Sequence, residues 1–586
     1  MKKGTMKKRN IQGEKRRKNL LSFATGILIL ILINIISSRF HGRVDLTAEK
    51  RYTLSDATTE MVKTLDDIVY FKIYLEGDFP SGFKRLRNET KEILRQFHAV
   101  NNHIQYEFID PSTAGSDTKS VYEELMRKGL DPTDLHVRDK SGRSQKIIFP
   151  GAIVSYRQKE LPLQLLESQM GVPPEESLNN SIQNLEYNIS SVIRRLTEIK
   201  KPKIAFIEGH GELSSKDTWD IGTTLSSYYQ VDRVTIDEQI SNLTERTESD
   251  SLGIIIRNKY KALIIARPDT AFSEKDKFIL DQYVMRGGKI LWFIDPILTG
   301  MDSLSNSPNT VGLPGALNLD DLFFRYGVRF EKKLVLDLSC LPIPVTTGSY
   351  GGQPQMEFLN WYYFPVLTPQ TSHPIAKNLN VIRTEFVSPI DTLTVEGLKP
   401  TVLLQTSAYS RLANNPVYIS LEMLKEEPDR RLFNHAPVPV AVLMEGVFPS
   451  LYTNRLTATI LQSELISFKE KSPPSKMIFV SDGDLLKNQF RPSDGMPLPT
   501  GYDQYTGQHF GNGDFVLNAV NYLCDDSGLI DARSRNVTLR LLNRAVIKDS
   551  KLIIQIINVV VPVLLILIPG LFKILQRRRK YSRKKV

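Results

Sequence analysis

Five consecutive residues, Glu208-Gly209-His210-Gly211-Glu212, set one imidazole between two carboxylates. Side chains of these types within hydrogen-bond reach can act as a general acid–base pair, and with further donors they could hold a cation. The two glycines open backbone conformations that a tight turn needs and other residues resist. Farther along, Asp482-Gly483-Asp484 puts two carboxylates around another glycine, and Asp295 stands before Pro296. All three runs follow a short apolar stretch that reads as a buried strand. Open α/β sheets bind their ligands just beyond the carboxyl ends of such strands. Glu208, Gly209, His210, Gly211, Glu212, Asp295, Asp482 and Asp484 are therefore the candidate ligand- or partner-binding residues.

Several chemistries fail on spacing. His210, Glu212 and Asp217 could cluster, but the 8 histidines are scattered and none supplies a second imidazole at ligand spacing, so no metal is expected. The dinucleotide-binding pattern breaks at Ser214, where its third glycine should stand, and residues 511–516 break it similarly. An Asp-Gly turn with Asp484 capping the next helix accounts for 482–484 without a cation. No G-x-x-x-x-G-K-[ST] phosphate loop occurs anywhere, so the chain is not itself a P-loop ATPase and must borrow energy for any transport work. No cofactor is expected. A structural turn with polar contacts is preferred over a catalytic His210–Glu212 pair. The rival reading is a membrane-tethered hydrolase using Glu208, His210 and Glu212, which still lacks a nucleophile.

The elements that must position these residues lie between two apolar segments. Residues 552–572 carry no charge, and 16 of the 21 are Leu, Ile, Val or Phe. As a helix they would extend about 31 Å, enough for a bilayer core of about 30 Å. Residues 20–36 form a second such span, longer than the apolar core of a cleavable signal and followed by no small-x-small site, so an uncleaved anchor is expected. The tails at 1–19 and 573–586 each sum to +8, which leaves −5 for the rest of a chain whose net charge is +11. Lys and Arg beside spans stay in the cytoplasm, so both termini are expected there, in a bacterial inner membrane, with the bulk of the chain periplasmic. The basic charge thus belongs to membrane flanks that meet the lipid bilayer, and nucleic acid is not expected as a partner.

Between the spans the pattern is α/β, suited to about three domains of 100 to 200 residues. Residues 45–160 alternate strands and helices in an order compatible with a thioredoxin-like domain, with Ser55 as the N-cap of the first helix. No cysteine falls there, so a thiol mechanism is excluded. A helical bridge covers 161–200, with apolar residues at helical spacing along 181–199. A central doubly wound α/β domain occupies 201–300 and resumes at 451–540, where Asp514 is placed to cap a helix over 515–524. The intervening 301–450 is loop-rich and mainly β. Its aromatic run, Phe358, Trp361, Tyr362, Tyr363 and Phe364, is read as a local core in preference to a contact patch. Cys340 and Cys524 read as lone small apolar residues, although an oxidising compartment would permit a bond.

The runs at 204–213 (IAFIEGHGEL), 287–296 (GGKILWFIDP) and 319–328 (LDDLFFRYGV) resemble the gliding-motility ABC transporter auxiliary family GldG. The paired spans, the juxtamembrane run 46–54, residues 477–484 (MIFVSDGD) and residues 518–523 (NAVNYL) are similar too. The resemblance implies a non-catalytic membrane subunit, often described as substrate-binding, that works with a separate ABC ATPase and a permease. It implies a setting in gliding motility and envelope protein secretion, with other proteins of that machinery as further partners. It also implies that the central α/β domain is related to one in a ciliary transport protein, where it serves assembly.

Overall fold

The computed structural model describes residues 11–39, 53–113, 118–139, 142–167, 172–198, 200–249, 253–305, 307–350, 353–463, 466–534 and 550–582. Most of the first basic tail, the juxtamembrane run at 46–52, Gly171 and the approach to the second span at 540–549 lie outside the described residues. The chain divides into two units, Met1–Arg535 and Asn536–Val586.

Each unit contains one helix long and apolar enough to cross a membrane, Arg17–Ile36 in the first and Lys551–Arg579 in the second. Pro562 and Pro569 lie inside the latter helix. Neither ends it: the helix continues without a break from Lys551 to Ser582.

The first globular part is built on helix α1 (Asp56–Lys63), strand β1 (Val69–Ile73), α2 (Ser81–Val100), β2 (Ile104–Phe108), α3 (Thr118–Arg127), β3 (Gly151–Tyr156), β4 (Lys159–Gln164) and α4 (Pro174–Thr197). Ser55 caps α1 as expected, its side chain accepting the Thr58 N–H. The sheet runs β2-β1-β3-β4, with β1 parallel to β2 and antiparallel to β3. An antiparallel hairpin, Thr133–Asp139 with Gly142–Ile148, leads into β3. The bridge helix α4 packs its apolar stripe (Leu185, Ile189, Val192, Ile193, Leu196) into the same core as Phe71, Leu86 and Phe97.

The central sheet has seven strands: β5 (Lys203–Glu208), β6 (Gln230–Thr235), β7 (Ala262–Ala266), β8 (Lys289–Phe293), β9 (Leu398–Gln405), β10 (Pro439–Gly446) and β11 (Ser475–Val480). Their order is β9-β10-β11-β8-β7-β5-β6, with all neighbours from β11 to β6 parallel and β9 and β10 antiparallel. Thus two strands from the 301–450 region complete one edge of this sheet. Helices α5 (Trp219–Ser226), α6 (Glu274–Met285) and α7 (Asn512–Cys524) cover its faces.

Alternation along the strands fills both sides. Ile204, Phe206, Ile264, Leu291 and Ile478 join the core under α5 and α7, whereas Ala205, Ile207, Ile265, Trp292 and Phe479 join the core under α6. A parallel sheet buried on both faces needs just such near-continuous apolar strands. Strand order reverses between β5 and β7: β6 lies on one side of β5 and everything later lies on the other. The crevice created by that reversal is the usual ligand position in open sheets.

In the loop-rich part, Trp361, Tyr362, Tyr363 and Phe364 are buried in a core of their own with Phe386 and Phe433, while Phe358 is 52% exposed. The strand that carries the run, Gln353–Leu367, pairs antiparallel with Cys340–Tyr350 from Pro365 to Gln353. Cys340 and Cys524 are both free.

Candidate functional site

Three strand ends meet at the reversal point. Strand β5 ends in a turn with Gly209 at φ 112° and Gly211 at φ 74°, values that a side chain strongly disfavours. A Cβ on Gly211 would also stand 1.6 Å from Asp269 Oδ1. This turn drives His210 back into the body, where it is 6% exposed and stacks on Phe272 with ring centres 3.7 Å apart. Both ring nitrogens meet carboxylates: Nδ1 lies 3.3 Å from Glu212 Oε1, and Nε2 lies 3.2 Å from Asp276 Oδ2. Glu212 also accepts the His210 backbone N–H at 2.7 Å. Asp276, held at the start of α6, accepts the Glu238 N–H at 2.8 Å through its other oxygen. Burial opposes the charged imidazole, but the Glu212 and Asp276 carboxylates outweigh it and raise the His210 pKa above its ordinary value.

Glu208 does not join this cluster. Its carboxylate pairs with Arg233 of β6 at 2.6 Å, on the opposite side of the turn. The geometry therefore brings His210 and Glu212 together and leaves Glu208 out, and it adds Asp276, which sequence reasoning missed.

A second polar cluster forms at the ends of β7, β8 and β11. Arg267 follows β7 at φ 55° and sends its guanidinium to Asp295 Oδ2 at 2.7 Å and to Asp484 Oδ1 at 3.1 Å. The Gly483 N–H donates to Asp295 Oδ1 at 2.5 Å. A side chain on Gly483 would collide with Arg267, since its Cβ would fall 2.4 Å from Arg267 Cγ. Asp482 is fully buried and accepts the Glu385 N–H at 3.0 Å and the Asp484 N–H at 2.9 Å. Desolvation raises Asp295, with repulsion from Asp484 adding to it, up to about 6. Burial also pushes Asp482 well up, and Glu385 likewise moves up.

Two capping expectations are corrected here. Asp484 does not cap the turn that follows β11: the position before it is Gly483 and makes no side-chain cap bond. Asp482 takes the Asp484 N–H instead, which frees Asp484 for Arg267. Asp514 lies inside the first turn of α7, whose cap position is Gly511, because the helix starts earlier, at Asn512.

Between the two clusters opens a crevice of about 480 Å³, lined by Gly211, Ser214, Asp217, Arg267, Asp269 and Lys487, with Leu298 and Thr299 at its rim. Among the described residues no group of three or more His, Cys, Asp or Glu side chains is arranged to hold a metal ion. Arg267 carried a sequence signal, a lone cation at the end of an apolar strand. Asp276, Arg233 and Glu385 reach the site from distant elements and carried none.

Residues 201–519 match the model of a family described as an ABC-type uncharacterized transport system, and the chain belongs to that family. Residues 48–155 match a domain of unknown function, DUF7088. A protein of Borreliella burgdorferi, described as uncharacterized, is 21% identical over 367 residues, which are 62% of each chain. The chain thus spans less than two thirds of that relative. Among solved structures, the mmIFT52 N-terminal domain aligns over 55% of this chain and 97% of its own, at 11% identity and a TM-score of 0.30. PurLQS from Thermotoga maritima aligns over 55% and 99%, at 12% identity and a TM-score of 0.20. Superpositions that loose establish no shared fold. Family membership and the two apolar helices together support a transport-associated role and membrane anchoring.

Proposed function

We propose that this protein is a non-catalytic, membrane-anchored auxiliary subunit of an ABC-type transport complex, working with a separate ATPase and a permease. Its extracytoplasmic body binds a partner or ligand at the reversal-point crevice. One observation carries the reading: both nitrogens of His210 at the sheet edge are held by buried carboxylates, beside an open crevice. A general base needs a nitrogen free to take a substrate proton, and this ring has none. The same saturation argues against the hydrolase alternative, as does the position of Glu208 on Arg233.

The finer assignments belong to this proposal. The resemblance of residues 204–213 and 287–296 supports a setting in gliding motility and envelope protein secretion. Charge around the spans supports cytoplasmic termini and a periplasmic body. The order β2-β1-β3-β4, with β1 and β2 parallel, supports a thioredoxin-like scaffold for the first domain, one without cysteines.

Purification of the full chain from native membranes in mild detergent tests the reading. An ATPase and a permease should accompany it, and His210→Ala, at a residue that does not line the crevice, should leave motility and secretion at wild-type levels wherever the variant accumulates normally. Recovery of the chain without either subunit would sink the proposal.

A further inference from the structure

The rim residue Leu298 connects the crevice to a surface of the wrong polarity. Strands Ile297–Leu298, Asn309–Pro314 and Val417–Ser420 form a small antiparallel sheet. Its inner face is conventional: Ile297, Val417 and Ile419 are buried in the aromatic core. Gly312 sits there too, because a Cβ would fall 2.8 Å from Ile297 Cγ2. The outer face of such a sheet normally carries polar residues. Here it carries Leu298, Leu313, Val311 and Tyr418, exposed by 39%, 55%, 49% and 64%. They are neighbours, since Leu298 opposes Leu313, Val311 opposes Tyr418, and 311 and 313 alternate on one strand. At standard strand spacings the stripe runs roughly 12 Å diagonally, the length of three or four extended residues. One end enters the crevice at Leu298; the other ends at Tyr418, on the wall of a second recess of about 420 Å³.

Charge in the crevice selects what could lie on the stripe. Its two cations are engaged, Arg267 by Asp295 and Asp484 and Lys487 by Asp484. Asp217 and Asp269 are held only by hydroxyl and backbone donors, including Ser214 Oγ at 2.6 Å and Thr270 Oγ1 at 2.9 Å, and neither forms an ion pair among the described residues. An apolar path that ends in two uncompensated carboxylates complements a chain with a cation at one end and apolar side chains behind it.

We infer that the crevice and the adjoining stripe bind an extended segment of a partner protein, with a Lys or Arg between Asp217 and Asp269 and alternate apolar side chains across Leu298, Leu313, Val311 and Tyr418. This rests on the non-catalytic binding reading above and names its ligand class. The basic residue supplies orientation and the stripe supplies most of the affinity, because exposed carboxylates are screened while apolar area is not.

The full chain in detergent, applied to an array of hexapeptides with Lys or Arg ahead of alternating apolar residues, tests the inference against a matched set with Glu in the basic position. Retention on the basic set should be at least about tenfold greater, a difference of about 1.4 kcal/mol. Asp217→Asn with Asp269→Asn should reduce that preference to within about threefold, as expected when a charge pair becomes neutral. Val311→Ser with Tyr418→Ser should weaken retention on both sets at least about fivefold through loss of apolar contact. All four sites are exposed or half-buried, and unchanged thermal unfolding would confirm that the variants fold. Equal retention on both sets, or indifference to either pair of substitutions, would overturn the inference. So would a dimer in sedimentation equilibrium that Val311→Ser with Tyr418→Ser makes monomeric, since the stripe's occupant would then be a second copy. Loss of peptide selectivity while the ATPase and permease still co-purify removes the peptide and leaves the subunit role intact.

Discussion

Two polar clusters stand at the same edge of the central sheet and solve opposite problems. Around His210, two carboxylates share one imidazole, and every polar atom of the ring has a partner. Around Arg267, Asp295 and Asp484 share the guanidinium, Lys487 also meets Asp484, Glu385 pairs with Arg383, and buried Asp482 takes backbone N–H groups only, so acids outnumber bases. The first cluster keeps its cation charged by supplying anions. The second makes room for surplus acid by raising it, which is why Asp295 and Asp482 move up while His210 also moves up. A motif that reads as reactive can therefore be a clamp, and a turn that reads as plain can hold the strained charge.

Substitutions that remove one side of each cluster should separate them. Arg267→Ala would strip Asp295 and Asp484 of their shared cation; a loss of about 3 to 5 kcal/mol is expected in chemical unfolding, the cost of a buried charge left unpaired. A loss below about 1 kcal/mol would mean that the Gly483 N–H and nearby groups suffice. His210→Ala removes the Phe272 stack and two hydrogen bonds, for about 2 to 3 kcal/mol.

The pH dependence distinguishes the clusters further. His210 has a raised pKa in the fold, so its stabilisation is full below about 6.5 and fades as pH rises through the folded value. Asp295 is also raised, but it is an acid: the unfolded chain loses that proton first, so its contribution falls as pH climbs from about 4 to about 6. Asp295→Asn should flatten unfolding-midpoint curves in the lower window and His210→Ala in the upper. An Asp295 variant that changes only the upper window would break the distinction. The smallest effect is expected at Gly211→Ala, where a positive φ and the Asp269 contact cost about 1 to 2 kcal/mol. That variant should also shift Asp269 and thereby weaken the peptide preference.

Local signals in the sequence located most elements and half of the chemistry. Apolar runs at 203–208, 262–266 and 289–293 are strands, Ser55 is a cap, and Gly287 ends its helix at φ 82°, each for reasons contained within a few residues. Parallel strands bring their carboxyl ends to one edge, where Gly211 and Glu212 line the crevice, whereas Asp482, Gly483 and Asp484 do not and reach it only through Arg267, which pairs with Asp484. Partners were illegible. Asp276 reaches His210 across 66 positions and Glu385 reaches Asp482 across 97, and no periodicity encodes such distances. The apolar stripe was hidden for a different reason. Val311 and Leu313 lie in a segment rich in Pro, Gly, Ser and Asn, where alternation over six residues looks like a loop.

The middle of the central sheet joins pieces from remote parts of the gene. Strand β8 is flanked by β11, and the Asp295–Gly483 bond that ties their ends spans 188 positions. A ribosome must therefore deliver nearly five hundred residues before that flank can close, whereas β1 to β4 are complete after Gln164. During synthesis the leading domain can be finished while Ile290 and Trp292 still await their neighbours. A chaperone that guards unfinished strands should meet this protein there, in the interval between its two halves.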